Sequence, residues 1–128
     1  MNTETIFFIG RILLGSFLLY SAYNHFSNIK GLTAYTEMKK VPMPKVAVIV
    51  SGLLLLFGGY SIIIGVRVTA GIAALTLFFI PVTFIMHAFW KEEEQARSMD
   101  QVQFMKNLAL LGAILMLLAI PVPWPTLF

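Results

Sequence analysis

Cysteine is absent from this chain and charge is scarce: Asp, Glu, Lys and Arg make up 12% of 128 residues, and histidine occurs twice. Without thiols, the chain alone can build no Cys-x-x-Cys redox pair, iron–sulfur cluster or thiolate zinc site. Electron chemistry would have to come from a bound cofactor or a partner. In place of charge stands apolar surface, 59% of residues, far above the balance of soluble proteins. The expected setting is a bilayer, with residues 1–128 as one membrane domain. The net charge of +3 does not point to nucleic acid, because the basic residues flank apolar runs, where they set topology and meet anionic headgroups. Met1-Asn2-Thr3-Glu4 lacks the basic start of a signal peptide, and no small-residue cleavage site follows the first apolar run. That run is expected to be a retained helix.

Four runs are long enough to cross a hydrocarbon core of about 30 Å. The first is Thr5 to about Tyr23, where Arg11, Gly15, Leu18, Ala22 and His25 share one helical face. That face should point into the protein. From Phe26 to Lys45 the chain is too polar to span. Ile29, Leu32, Tyr35 and Met38 recur there at three-residue spacing, away from most of the lysines, which predicts a short interfacial helix stopped by Pro42 and Pro44. Val46 to Val66 carries two small-residue ribbons, Ser51-Gly58-Gly65 and Gly52-Gly59, suited to close helix approach. Val68 to Trp90 places Thr69, Thr76, Thr83 and His87 on one stripe. Pro81 breaks its hydrogen-bond ladder, and Thr83 is a candidate to help satisfy the freed backbone. Lys91 to Gln103 reads as a solvated connector, its charges arranged as a helical extension in water, and Met105 to Ile120 as the last span, short but uniformly apolar, with Gly112 as a contact point and Trp124 as an interfacial anchor. The expected fold is all-α: an antiparallel bundle of four transmembrane helices, with one interfacial helix between the first two spans.

Polar groups inside such a bundle mark function or structure, because an unpaired one in hydrocarbon costs several kcal/mol. His25 ends the first span, His87 the third, and Lys106-Asn107 opens the fourth. All four belong to one membrane surface, where they form a candidate mouth for a ligand with an anionic or carbonyl-bearing head. Arg11 lies roughly 20 Å of helix rise from His25. With Thr76 and Thr83, it is expected to act structurally. Lysines and arginines concentrate in the two long connectors, which the positive-inside rule would place in the cytoplasm, with both chain ends outside.

The motifs Arg11-x-x-x-Gly15, Ser21-Ala22-Tyr23-Asn24-His25-Phe26, Val41-Pro42-Met43-Pro44, Gly58-Gly59, His87-Ala88-Phe89-Trp90 and Phe104-Met105-Lys106-Asn107-Leu108-Ala109-Leu110-Leu111-Gly112, in this order, resemble the bacterial DoxX family over nearly the whole chain. The resemblance implies a four-helix protein of the bacterial cytoplasmic membrane. Members are linked to quinone-coupled sulfur oxidation, to quinol oxidase and to an oxidoreductase complex that handles oxidative stress. Many relatives carry a glutamate where this chain has Leu55 and Leu56, and a lysine near the position of Asn24, so roles needing those groups do not transfer. Relatives' basic tails also place both ends in the cytoplasm, opposite to the charge count.

Three functions compete on this reading. The first is a non-catalytic subunit or anchor of a quinone-linked membrane oxidoreductase, docking a partner or a second copy of itself. The second is a binding or transfer protein for a quinone, lipid or other small lipophilic molecule at His25, His87, Lys106 and Asn107. The third is an enzyme or haem protein in its own right. Two histidines could ligate one haem, yet without a further acid or thiol the reaction chemistry would rest wholly on the cofactor, and haem is disfavoured. No residue of the chain is assigned a catalytic or metal-ligating role.

Overall fold

A computed structural model describes all 128 residues, and every regular element in it is helical. Asn2 opens helix α1 (Thr3–Ser27) by accepting from the Thr5 amide at 2.8 Å, with Glu4 in the first turn where the helix dipole favours an acid. Helix α2 (Ile29–Met38) follows after one residue, and α3 (Pro44–Ile64) starts with proline at the position where a missing amide hydrogen is harmless. Helix α4 (Val68–Pro81) then runs on through a π-helical turn (Val82–Met86) and a 3₁₀ turn (Phe89–Lys91). Helix α5 (Glu94–Met116) ends in a further 3₁₀ turn and a proline-rich tail. Four segments are long and apolar enough to cross a membrane: Thr3–Ser27, Pro44–Ile64, Val68–Lys91 and Glu94–Ala119. α2 is the short amphipathic helix between the first two.

Glycine sets how closely the helices approach. α1 meets α3 where Gly15 and Gly59 face each other: a Cβ on Gly59 would lie 3.0 Å from Leu18 Cβ and 3.2 Å from the Gly15 carbonyl oxygen. α3 meets α4 where Gly58 sits against Leu75 and the Gly71 backbone. α3 is therefore the central helix, gripping a neighbour on each side through small residues, as membrane helices do without a hydrophobic drive to associate. The core between them gathers Leu18, Leu55, Ile62, Ile72, Leu75, Phe79 and Ile114. The buried residues of α1 are Arg11, Gly15, Leu18 and Ala22, the face read from their spacing.

Several expectations change. Pro81 does not simply leave a gap: the ladder loosens into the π-helical turn, while the fully buried Thr83 hydroxyl finds no partner, so it is not what satisfies the freed backbone. The connector after Trp90 continues as a helix, the opening turns of α5, with most of its side chains exposed as expected, but Asp100 turns inward, 7% exposed. Lys39 likewise folds inward. Gly112 faces open space and contacts nothing. Trp124 is buried against Phe7, ring centroids 4.9 Å apart, instead of anchoring at an interface.

Candidate functional site

At the end where α1, α3 and the tail converge, Arg11 is 3% exposed. Its guanidinium donates to three backbone carbonyls: Nε to Ile62 at 2.9 Å, Nη2 to Ile63 at 2.7 Å and Nη1 to Pro125 at 2.7 Å. Ile62 and Ile63 lie in the last turn of α3, whose carbonyls have no partner within the helix. Arg11 thus caps α3, adds a charge favoured by the helix dipole and ties down the tail. Gly65 makes this possible. Its φ of +79° ends the helix in the left-handed region, and a Cβ there would lie 2.6 Å from Arg11 Nη2. Phe7 and Trp124 stack around the cation at 5.5 and 5.6 Å. Each of the three guanidinium nitrogens thus makes a backbone bond, and a pocket of about 260 Å³ lined by Glu4, Thr5, Phe7, Phe8, Arg11 and Pro125 lies beside them.

The opposite end is arranged differently. A cavity of about 310 Å³ lies among α1, α2, α3, the π-helical turn and α5, with Phe17, Leu55, Phe78, Phe79 and Val82 among its apolar walls. His25, His87, Lys106 and Asn107 all line it, joined by Ser21, Tyr35, Thr36, Ser51 and Gln103. Arg11, Thr76 and Thr83 do not. Thr76 donates to the Ile72 carbonyl of its own helix at 2.9 Å. Val82, Ile85 and Met86 would share a face in a regular helix too, and the wider π-helical turn after Pro81 brings His87, five residues after Val82, onto that same cavity wall.

Three of the polar groups are held from outside the cavity. His25 Nδ1 lies 2.8 Å from the Ser21 carbonyl oxygen, one turn earlier on α1. His87 Nδ1 lies 3.2 Å from Asp100 Oδ1, and the other oxygen of Asp100 accepts from Lys39 Nζ at 2.9 Å. Lys39 also donates to Glu92 at 2.8 Å, so one ammonium joins the end of α2, the loop after the 3₁₀ turn and the start of α5. Burial works against the charged form of Lys39, but its bonds to Glu92 and Asp100 outweigh that cost and hold its pKa above the ordinary lysine value. Burial, above all, also pushes the Tyr35 phenol up, so it stays protonated as a donor facing the cavity. Lys106 Nζ rests over the Phe17 ring at 5.7 Å. Asn107 is 6% exposed, and its amide makes no hydrogen bond within the protein.

Sequence reasoning did not find Asp100, Lys39, Glu92 or Tyr35 as site residues. For Asp100 a signal existed. Asp100, Asn107, Leu111 and Ile114, the buried residues of α5, follow steps of seven, four and three, the spacing of one helical face. The charge-rich surroundings hid that spacing. Lys39 is found only in three dimensions, because its two partners lie 53 and 61 residues away.

Four helices long and apolar enough to cross a membrane, around a partly polar cavity, define an integral membrane bundle of the kind that contacts lipid on its outer faces. The DoxX family model matches residues 6–88, and the chain belongs to that family. The match covers α1 to the end of the π-helical turn, including His25 and His87, while Lys106 and Asn107 lie beyond it. No curated protein and no solved structure matches the chain.

Proposed function

We propose that this DoxX protein binds or transfers a small lipophilic molecule at the surface of a bacterial inner membrane. The apolar body of that molecule would lie among Phe17, Leu55, Phe78 and Phe79, with its head toward His25, His87, Lys106 and Asn107. The carrying observation is Asn107: a primary amide, 6% exposed, on a membrane helix and without a partner in the protein. The polar atoms of that amide open on the cavity and are not sealed in the packing, so their hydrogen bonds are left for a polar guest. The volume of about 310 Å³ lies at the small end of ligand sites. It suits one ring or one chain, such as a quinone head or a single-chain lipid.

The test is mass spectrometry of the gently solubilised protein beside its His87→Phe variant. A small lipophile retained by the wild type and lost from the variant, at nearly equal thermal stability, is expected. An empty wild-type cavity with a co-purifying soluble enzyme would contradict the binding role and point to an anchor for an oxidoreductase.

A further inference from the structure

We propose that the head group this cavity selects is a hydroxyl, read by His25 and His87 as hydrogen-bond acceptors; the inference rests on the binding role above. Both imidazoles spend Nδ1 on partners that can only accept. For His25 that partner is the Ser21 carbonyl. For His87 it is the Asp100 carboxylate, whose other oxygen accepts from the Lys39 ammonium. Against these acceptors Nδ1 carries the hydrogen in both rings, and in the neutral form of the imidazole this leaves Nε2 as a bare lone pair. Neither Nε2 has a partner in the protein, and both rings line the same cavity.

The complementary donors stand on α5. Lys106 has an aromatic face beneath it and no carboxylate within ion-pair distance, and the Asn107 amide is unpartnered. Among these four residues two acceptors thus face two donors, with the Tyr35 phenol as a further donor in the same lining. A hydroxyl is the smallest head that meets both: its hydrogen goes to an imidazole Nε2, and its oxygen accepts from Asn107 or Lys106. A ketone or an ether can only accept and leaves both imidazoles unpaired. A carboxylate has the same defect and turns its charge toward two lone pairs. The fixed tautomers thus favour a donating head over the anionic or carbonyl-bearing head that the residue types alone suggest. A site built to hydrogen-bond a hydroxyl rejects an analogue lacking it, because the site's own polar groups are then stranded.

Binding of para-hexylphenol and of its methyl ether to the full-length protein in lipid nanodiscs tests this, since the pair differs by one donated hydrogen. The phenol should bind about tenfold tighter, with that preference falling to about twofold or less in His25→Phe/His87→Phe. Should the double variant fail to fold, dodecanol against laurate on the wild type decides in the same way, with the alcohol expected to bind tighter. Equal binding of phenol and ether, or laurate above dodecanol, would overturn the hydroxyl assignment and leave the binding role standing. If none of the four probes bound at all, the binding role would fall with it.

Discussion

The two ends of this bundle hold polar groups in opposite ways. Around Arg11 every guanidinium nitrogen bonds inside the protein: three donations reach three carbonyls of α3 and the tail, and aromatic rings lie against the cation. Around His87 the polar groups keep hydrogen-bonding capacity facing the cavity. His25 and His87 are tethered through Nδ1, Lys106 rests on an aromatic face, and Asn107 is not tethered at all. A membrane interior penalises both kinds of group alike. The difference teaches that burial alone does not separate structure from function in a bilayer protein. Unspent hydrogen-bonding capacity beside a cavity does.

The comparison breaks most severely at Arg11. Arg11→Leu strands the carbonyls of Ile62, Ile63 and Pro125, and each unpaired buried group costs about 1–3 kcal/mol. A loss of at least about 3 kcal/mol is expected, read as a large drop in the unfolding temperature in detergent. Wild-type stability in this variant would mean that water or lipid serves those carbonyls as well as the guanidinium does.

Next come the helix contacts that both ends share. A Cβ on Gly59 would sit 3.0 Å from Leu18 Cβ and 3.2 Å from the Gly15 carbonyl, so Gly59→Leu must push α1 off α3. Overpacking of this kind costs about 1–3 kcal/mol. Unchanged thermal unfolding of Gly59→Leu would show that the two helices are not locked at that crossing.

The smallest expected effect sharpens the cavity end. Lys39→Met removes the bonds to Glu92 and Asp100 that pin the end of α2 beside the cavity, a loss of about 1–2 kcal/mol. It should show as faster amide exchange confined to α2. The same tether has a pH signature. Because the folded-state pKa of Lys39 is raised, its stabilisation is complete below the unfolded lysine value of about 10.4 and declines as pH rises above it. Between about pH 9 and about pH 12, amide exchange in α2 of the wild type, corrected for its intrinsic rise with pH, should converge on that of Lys39→Met. Equal corrected exchange of the two proteins already at about pH 9 would remove Lys39 from this role.

Much of the fold was legible because membrane spans are written in plain periodicity. The inward face of α1, the small-residue ribbons of α3 and the proline start of that helix follow from spacing and residue type alone. The breaks were harder to read. Pro81 announces a disturbance, but whether the ladder kinks or widens into a π-helical turn depends on packing against α5, which no local pattern encodes. Trp124 reads as an anchor because tryptophan favours interfaces, yet the tail folds back onto Phe7 and Arg11. At the site, His25, His87 and the Lys106-Asn107 pair could be named, although that pair lies in the middle of α5 and does not open it, whereas the network behind His87 could not. Asp100 sits in a run of charge that looks solvated, and Lys39 reaches it across 61 residues of chain.

The central claim is that Asn107 is kept for binding and Arg11 for folding. It is tested most directly by measuring unfolding and para-hexylphenol binding on one preparation of Asn107→Leu. Removing an amide whose polar atoms open on the cavity should leave the ligand-free protein as stable as wild type, while binding weakens about tenfold or more. A variant that unfolds more easily yet binds the phenol as wild type does would contradict the account.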